Sequence, residues 1–108
     1  MDSGQIEAVK RQILSLEKAQ RMAEFFGVLG DTNRWRILSA LAVQEMRVGE
    51  LAEIVGMSES AVSHQLRTLR VMRMVSHERQ GRNVVYRLQD DHIVNLYQEV
   101  SEHLDEPH

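Results

Sequence analysis

The side chains best suited to chemistry in this 108-residue chain lie in two neighbouring stretches of opposite charge. From 58 to 87, six arginines face two glutamates, a balance of +4, and Ser58, Ser60, Ser63, His64, Gln65 and Arg67 crowd its first part. Small hydroxyls, an amide, an imidazole and a guanidinium are the groups that reach base edges and phosphates of duplex DNA. Gln65 can pair with adenine and Arg67 with guanine or a phosphate, while Ser60 and Ser63 keep the surface low enough for close backbone approach. Arg79 and Arg82 lie on either side of Gln80-Gly81, a placement that suits a neighbouring phosphate or the minor groove. From 88 to 108 the balance is −6 with no Lys or Arg, acidic enough to meet a cation. The chain has no cysteine, which excludes disulfides, thiolate redox chemistry and sulfur-ligated metals. Any metal must be held by His, Asp or Glu.

The elements that must position these groups follow from periodicity. Ile6, Val9, Ile13 and Leu16, then Met22, Phe25, Phe26 and Leu29, recur at three- and four-residue spacing and predict one or two amphipathic helical segments ending at Gly30. Asp31 or Thr32 caps a helix through Trp35, Ile37, Leu38 and Leu41. A short helix over 48–55 turns Leu51, Ala52 and Val55 inward and stops at Gly56. Ser58 caps the next, whose buried stripe is Ala61, Val62, Leu66 and Leu69, leaving Ser60, Ser63, His64, Gln65 and Arg67 on the other face. The period then shortens. Residues 74–79 and 83–88 read as strands, with Gln80-Gly81-Arg82 the hairpin turn and Gly81 at positive φ. Asp90 or Asp91 caps a last helix with Ile93, Leu96, Tyr97, Val100 and Leu104 on one stripe, ended by Pro107.

This order predicts a single winged helix-turn-helix domain over 1–108, mainly α with a small β-hairpin wing. Its helix-turn-helix spans 48–71 and its wing 74–88. A chain this size buries a modest core, so a dimer interface would add apolar burial. The overall charge of −3 conceals the split between the basic and acidic stretches. Only 5% of residues are aromatic, which argues against stacking-based recognition of RNA or single strands. No apolar run nears the roughly 18 residues of a membrane span. The residues after Met1 lack a basic region followed by an apolar stretch, so the expected compartment is the cytoplasm. No HExxH, phosphate loop or nucleophile elbow occurs, and no enzyme activity is expected.

Leu29-Gly30-Asp31-Thr32-Asn33-Arg34-Trp35-Arg36-Ile37-Leu38, Val48-Gly49-Glu50-Leu51-Ala52, Ser58-Glu59-Ser60-Ala61-Val62-Ser63-His64-Gln65-Leu66 and Gln80-Gly81-Arg82-Asn83-Val84-Val85-Tyr86 together resemble the ArsR/SmtB family of bacterial metal-sensing repressors. The resemblance covers nearly everything beyond about residue 20. It implies a homodimer built from the first and last helices (about 5–29 and 90–106), an imperfect inverted-repeat DNA operator, and an inducer that weakens that complex. One departure matters. Arg47 stands where many members carry a metal-binding cysteine, so soft-metal thiolate sensing is unavailable here.

The resemblance also implies a sensing site on the last helix: Asp90 and His92 early, His103 and Glu106 late. Within one helix, eleven residues bring His92 and His103 to one face but separate them by about 16 Å along the axis. One ion cannot bridge them. If the final helices of two subunits run antiparallel, Asp90 and His92 of one meet His103 and Glu106 of the other, giving two sites of two nitrogens and two oxygens. That set suits Zn(II), with Co(II) or Ni(II) as substitutes. Pro107 restricts Glu106, and Asp105 or His108 are alternative fourth ligands. The expected function is a repressor whose metal-free homodimer holds DNA and releases it on zinc binding. The alternative keeps the DNA function with another divalent metal or a non-metal inducer.

Overall fold

The computed structural model describes residues 1–107; His108, an alternative fourth ligand, lies outside the described residues. The chain divides into two compact units, Met1–Gly30 and the remainder from Asp31.

The first unit is two helices, α1 (Ser3–Gln12) and α2 (Leu16–Val28). Asp2 caps α1 with a reciprocal Gln5 bond, and Ser15 caps α2 by accepting from the Lys18 N–H. Two caps fix two starts, so the long apolar pattern is broken at 13–15. Neither helix contains a buried residue, and Ile13 and Leu16 are 66% and 76% exposed.

The second unit holds α3 (Thr32–Val43), α4 (Val48–Val55), α5 (Glu59–Val71), β1 (Val75–Gln80), β2 (Asn83–Leu88) and α6 (Asp91–Asp105). Asp31 caps α3 through the Arg34 N–H. Gly56 ends α4 at φ 71°, ψ 37°, a left-handed position natural to glycine. Ser58 caps α5 two residues later. The core lies between these helices and the base of the hairpin. Ile37, Leu51, Val62, Leu66, Leu69 and Met74 have no exposed surface. Ala61, expected in the α5 stripe, is only half-buried.

The end of α5 differs from the sequence expectation. The Met74 N–H donates to the Leu69 carbonyl and the Arg73 N–H to the Arg70 carbonyl, while Arg73 takes φ 59°. This is a Schellman closure with arginine in the place usually held by glycine. It spends Met74 on closing the helix, so the wing begins at Val75 rather than 74. At the other end Gln80 pairs with Asn83, which leaves Gly81-Arg82 as a two-residue turn with Gly81 at φ 66°. A further pairing was not legible in the sequence. Met46 and Tyr86 exchange both backbone hydrogen bonds, joining the segment before α4 to β2.

α3 packs against α4, β2 and α6. α6 is capped by Asp90, has no buried residue, and leaves Leu104 74% exposed. No helix is long and apolar enough to cross a membrane.

Candidate nucleic-acid interface and metal ligands

The helix-turn-helix pair is held from behind by α3. Two arginines two residues apart on that helix grip one helix each. Arg34 Nε donates to Gln65 Oε1 of α5 at 2.8 Å, and an Arg36 guanidinium N–H donates to the Val55 carbonyl at the end of α4 at 3.0 Å. Apolar burial of Val62, Leu66 and Leu69 then turns the opposite side of α5 to solvent. Ser60, His64 and Arg67 are exposed there, and Ser63 is half-buried. Ser58 is exposed, but its hydroxyl oxygen serves as the cap of α5. Gln65 is half-buried with its amide oxygen taken by Arg34. That occupies one of the oxygen's two lone pairs and ties the amide to α3, unlike the unengaged amide expected from the sequence.

The hairpin carries Arg79 and Arg82 into solvent. Its base is tied down by groups that sequence reasoning missed. Arg87 pairs with Glu78, its diagonal neighbour across the strands, and with Glu45 at 3.5 Å. The Glu78 hydrogen bond, then the charges of Glu78 and Glu45, hold the guanidinium pKa above its ordinary value. Arg47, the residue in the cysteine position, bonds Glu50 and reaches Asn83 Oδ1 at 3.4 Å. The Arg87–Glu78 pair was recoverable from the hairpin register; the contacts of Arg34, Arg36 and Glu45 depend on tertiary placement. An open cleft of about 500 Å³ between α4 and the wing is lined by Arg47, Glu50, Glu53, Glu59, Arg82 and Asn83. Its mixed charge is unlike the apolar concavity that typically encloses a small organic ligand.

The metal candidates sit on α6 and remain apart within one chain. Asp90 accepts from the Ile93 N–H as the helix cap, and His92 is exposed beside it. Three turns on, His103 Nδ1 lies 4.0 Å from Glu106 Oε2, with both side chains largely exposed. Glu106 has left the helix at φ −66°, ψ 139°, the extended conformation favoured before proline. A separation of 4.0 Å is within about an ångström of that between two donors on one ion with bonds of about 2.0–2.2 Å. The late half of the set therefore fits an N/O-ligated metal locally. The early half does not join it: among the described residues, no three His, Asp or Glu side chains gather around a point. His77 instead stacks edge-on to Tyr86, and burial followed by the Arg70 charge lowers its pKa.

Comparison with known proteins agrees with this layout. The family described as "Bacterial regulatory protein, arsR family" matches residues 31–77, from the cap of α3 into β1. A transcriptional repressor SmtB homolog of Synechocystis sp. is 54% identical over 102 residues, covering 94% of this chain and 77% of that protein. The HTH-type transcriptional regulator NmtR of Mycobacterium tuberculosis is 42% identical over 94 residues, covering 84% of this chain and 78% of NmtR. The solution structure of apo-NmtR superposes with a TM-score of 0.78 over 89% of this chain and 81% of that one, at 38% identity. The homodimeric winged helix-turn-helix DNA-binding domain Mb0332 from Mycobacterium bovis superposes with a TM-score of 0.76 at 28% identity, covering 88% and 94%.

Proposed function

Because the chain belongs to the arsR family of bacterial regulatory proteins, we propose that it is a homodimeric transcriptional repressor that holds an inverted-repeat DNA operator in its metal-free form and releases it on binding Zn(II). The recognition surface is Ser60, Ser63, His64 and Arg67 on α5, with Ser58 at its cap, and Arg79 and Arg82 supply phosphate or minor-groove contacts. Asp90 and His92 of one subunit, with His103 and Glu106 of the other, bind the metal at two equivalent positions.

One observation carries this reading: complementary pairs of N and O donors stand at opposite ends of α6, while that helix and the two N-terminal helices leave apolar side chains in solvent. A second copy covers such faces and brings opposite ends of antiparallel helices together. The relatives support the class. One is a repressor by its description, and a solved neighbour is homodimeric. Zn(II) accepts two nitrogens and two oxygens in a closed tetrahedral site, which would leave no open position for a catalytic water. DNA and metal oppose one another through one dimer equilibrium, so each weakens the other by the same factor.

The test is fluorescence anisotropy of a labelled fragment of the chain's own promoter, with and without Zn(II). Metal-free protein should bind tightly, and one equivalent of metal per subunit should release it. A chelator-insensitive complex would remove zinc from the mechanism. Co(II) titration read by tetrahedral d–d absorption, with Ni(II) in parallel, distinguishes the metal and reveals a non-metal inducer by silence.

A further inference from the structure

We propose that the Arg34–Gln65 hydrogen bond is the joint that fixes the rotation of the recognition helix, so that Gln65 orients the reading surface and itself reads no base. This rests on the DNA-binding reading above.

Apolar contacts set how deeply α5 sits. Val62, Leu66 and Leu69 are fully buried beneath it. Burial of this kind fixes which face of α5 turns inward, but it is non-directional and leaves the last few degrees of rotation about the helix axis weakly defined. Rotation is the motion that matters for reading, since it would sweep Ser60, His64 and Arg67 across the groove. A hydrogen bond to a guanidinium is both directional and stronger than a neutral one. The contact spans thirty-one positions of sequence, from the third residue of α3 to the middle of α5, and is partly buried. Arg36 grips the end of α4 from the same helix, so both members of the pair are referenced to α3.

The place of Gln65 on α5 points the same way. At about 100° per residue it lies about 60° from the centre of the buried stripe, whereas Ser60, His64 and Arg67 lie on the far side. Bidentate pairing with adenine needs the amide oxygen as well as the nitrogen. Here the oxygen already accepts from Arg34, which holds the amide plane toward α3 rather than free to align with a base edge.

The experiment is in vitro selection of duplexes from a random library with the unaltered protein, Gln65→Glu, Gln65→Met, Arg34→Met and the double variant. Binding is then measured on the selected duplex and on a scrambled one. Gln65→Glu keeps an acceptor for Arg34 and should keep the selected bases, with no more than a uniform loss on both duplexes from its added negative charge. Gln65→Met and Arg34→Met should each lose about tenfold or more on the selected duplex, with binding to the scrambled duplex unchanged. The loss in the double variant should fall short of the product of the two single losses, because the two side chains share an interaction. The preferred base at every position should stay the same. A new preferred base at one position in either Gln65 variant would show that Gln65 reads, and would overturn the joint. So would losses that multiply in the double variant, or no loss at all. Should Arg34→Met fail to fold, the contrast between Gln65→Glu and Gln65→Met still decides. If the unaltered protein enriches no duplex, the DNA-binding reading itself falls, a separate and distinguishable outcome.

Discussion

Arg73 holds a backbone conformation, φ 59°, that costs an L-residue about 1–2 kcal/mol. Nothing replaces it because the two hydrogen bonds closing α5 require a left-handed residue there. Arg73→Gly should therefore raise stability by about 1 kcal/mol in urea unfolding; a lower midpoint would contradict the strain. Gly56 is the converse. A Cβ at that position would meet nothing within 4 Å, so the cost of Gly56→Ala is purely conformational, about 1–2 kcal/mol of lost stability. At the same scale, His103→Ala should abolish the response to zinc and leave metal-free DNA binding intact. A ligating imidazole can hand its second N–H to a backbone carbonyl, and coupling through His103 toward the recognition-helix region is the route we favour. Continued release of DNA by zinc in that variant would close the route.

Among the elements, the wing shows what a two-stranded ribbon needs to stay in place. Two strands alone are marginal in water. Here the ribbon gains the Met46–Tyr86 backbone pairing, the Arg87 contacts to Glu78 and Glu45, and the Arg47–Asn83 bond. These tie it to the start of α4. Arg79→Ala with Arg82→Ala should flatten the salt dependence of operator binding by about 0.9 in log–log slope for each phosphate contact removed. An unchanged slope would mean that the wing tip stays clear of the duplex. The strands, the helix pair and the caps of α3, α5 and α6 were legible in sequence, since Asp31, Gly56, Ser58, Gly81, Asp90 and the change of period are local signals; the caps Asp2 and Ser15, which split the N-terminal pattern into two helices, were not read. The exact start of β1 was not, because it is set by how α5 closes. The Met46–Tyr86 pairing was not either, because those residues are forty positions apart and carry no shared pattern.

For the whole molecule, the question is what covers the apolar faces of α1, α2 and α6. Mixing two defective proteins answers it. Asp90→Ala/His92→Ala and His103→Ala/Glu106→Ala should each be silent to zinc alone. In a heterodimer all the damage falls on one site, leaving the other complete, so mixing should restore metal-driven release. If mixing restores nothing, or either protein responds by itself, the ligands are not shared between subunits. The donor types at the two ends of α6 were readable because histidine and carboxylate are visible in any sequence, and the helical rise alone shows that one chain cannot bring them together. Glu106 leaving the helix was likewise readable from Pro107.

Capping, periodicity and charge act over a few residues, so the elements, their order and the candidate chemistry are written in the chain locally. Which polar groups already hold partners depends on packing between distant segments. Gln65 reads as a base-contacting amide until α3 brings Arg34 to its oxygen, and Arg87 reads as one more basic residue until Glu45 and Glu78 neutralise it. Hydrogen bonds and ion pairs between distant segments depend on the distances that packing sets, and no local pattern in the chain encodes those distances.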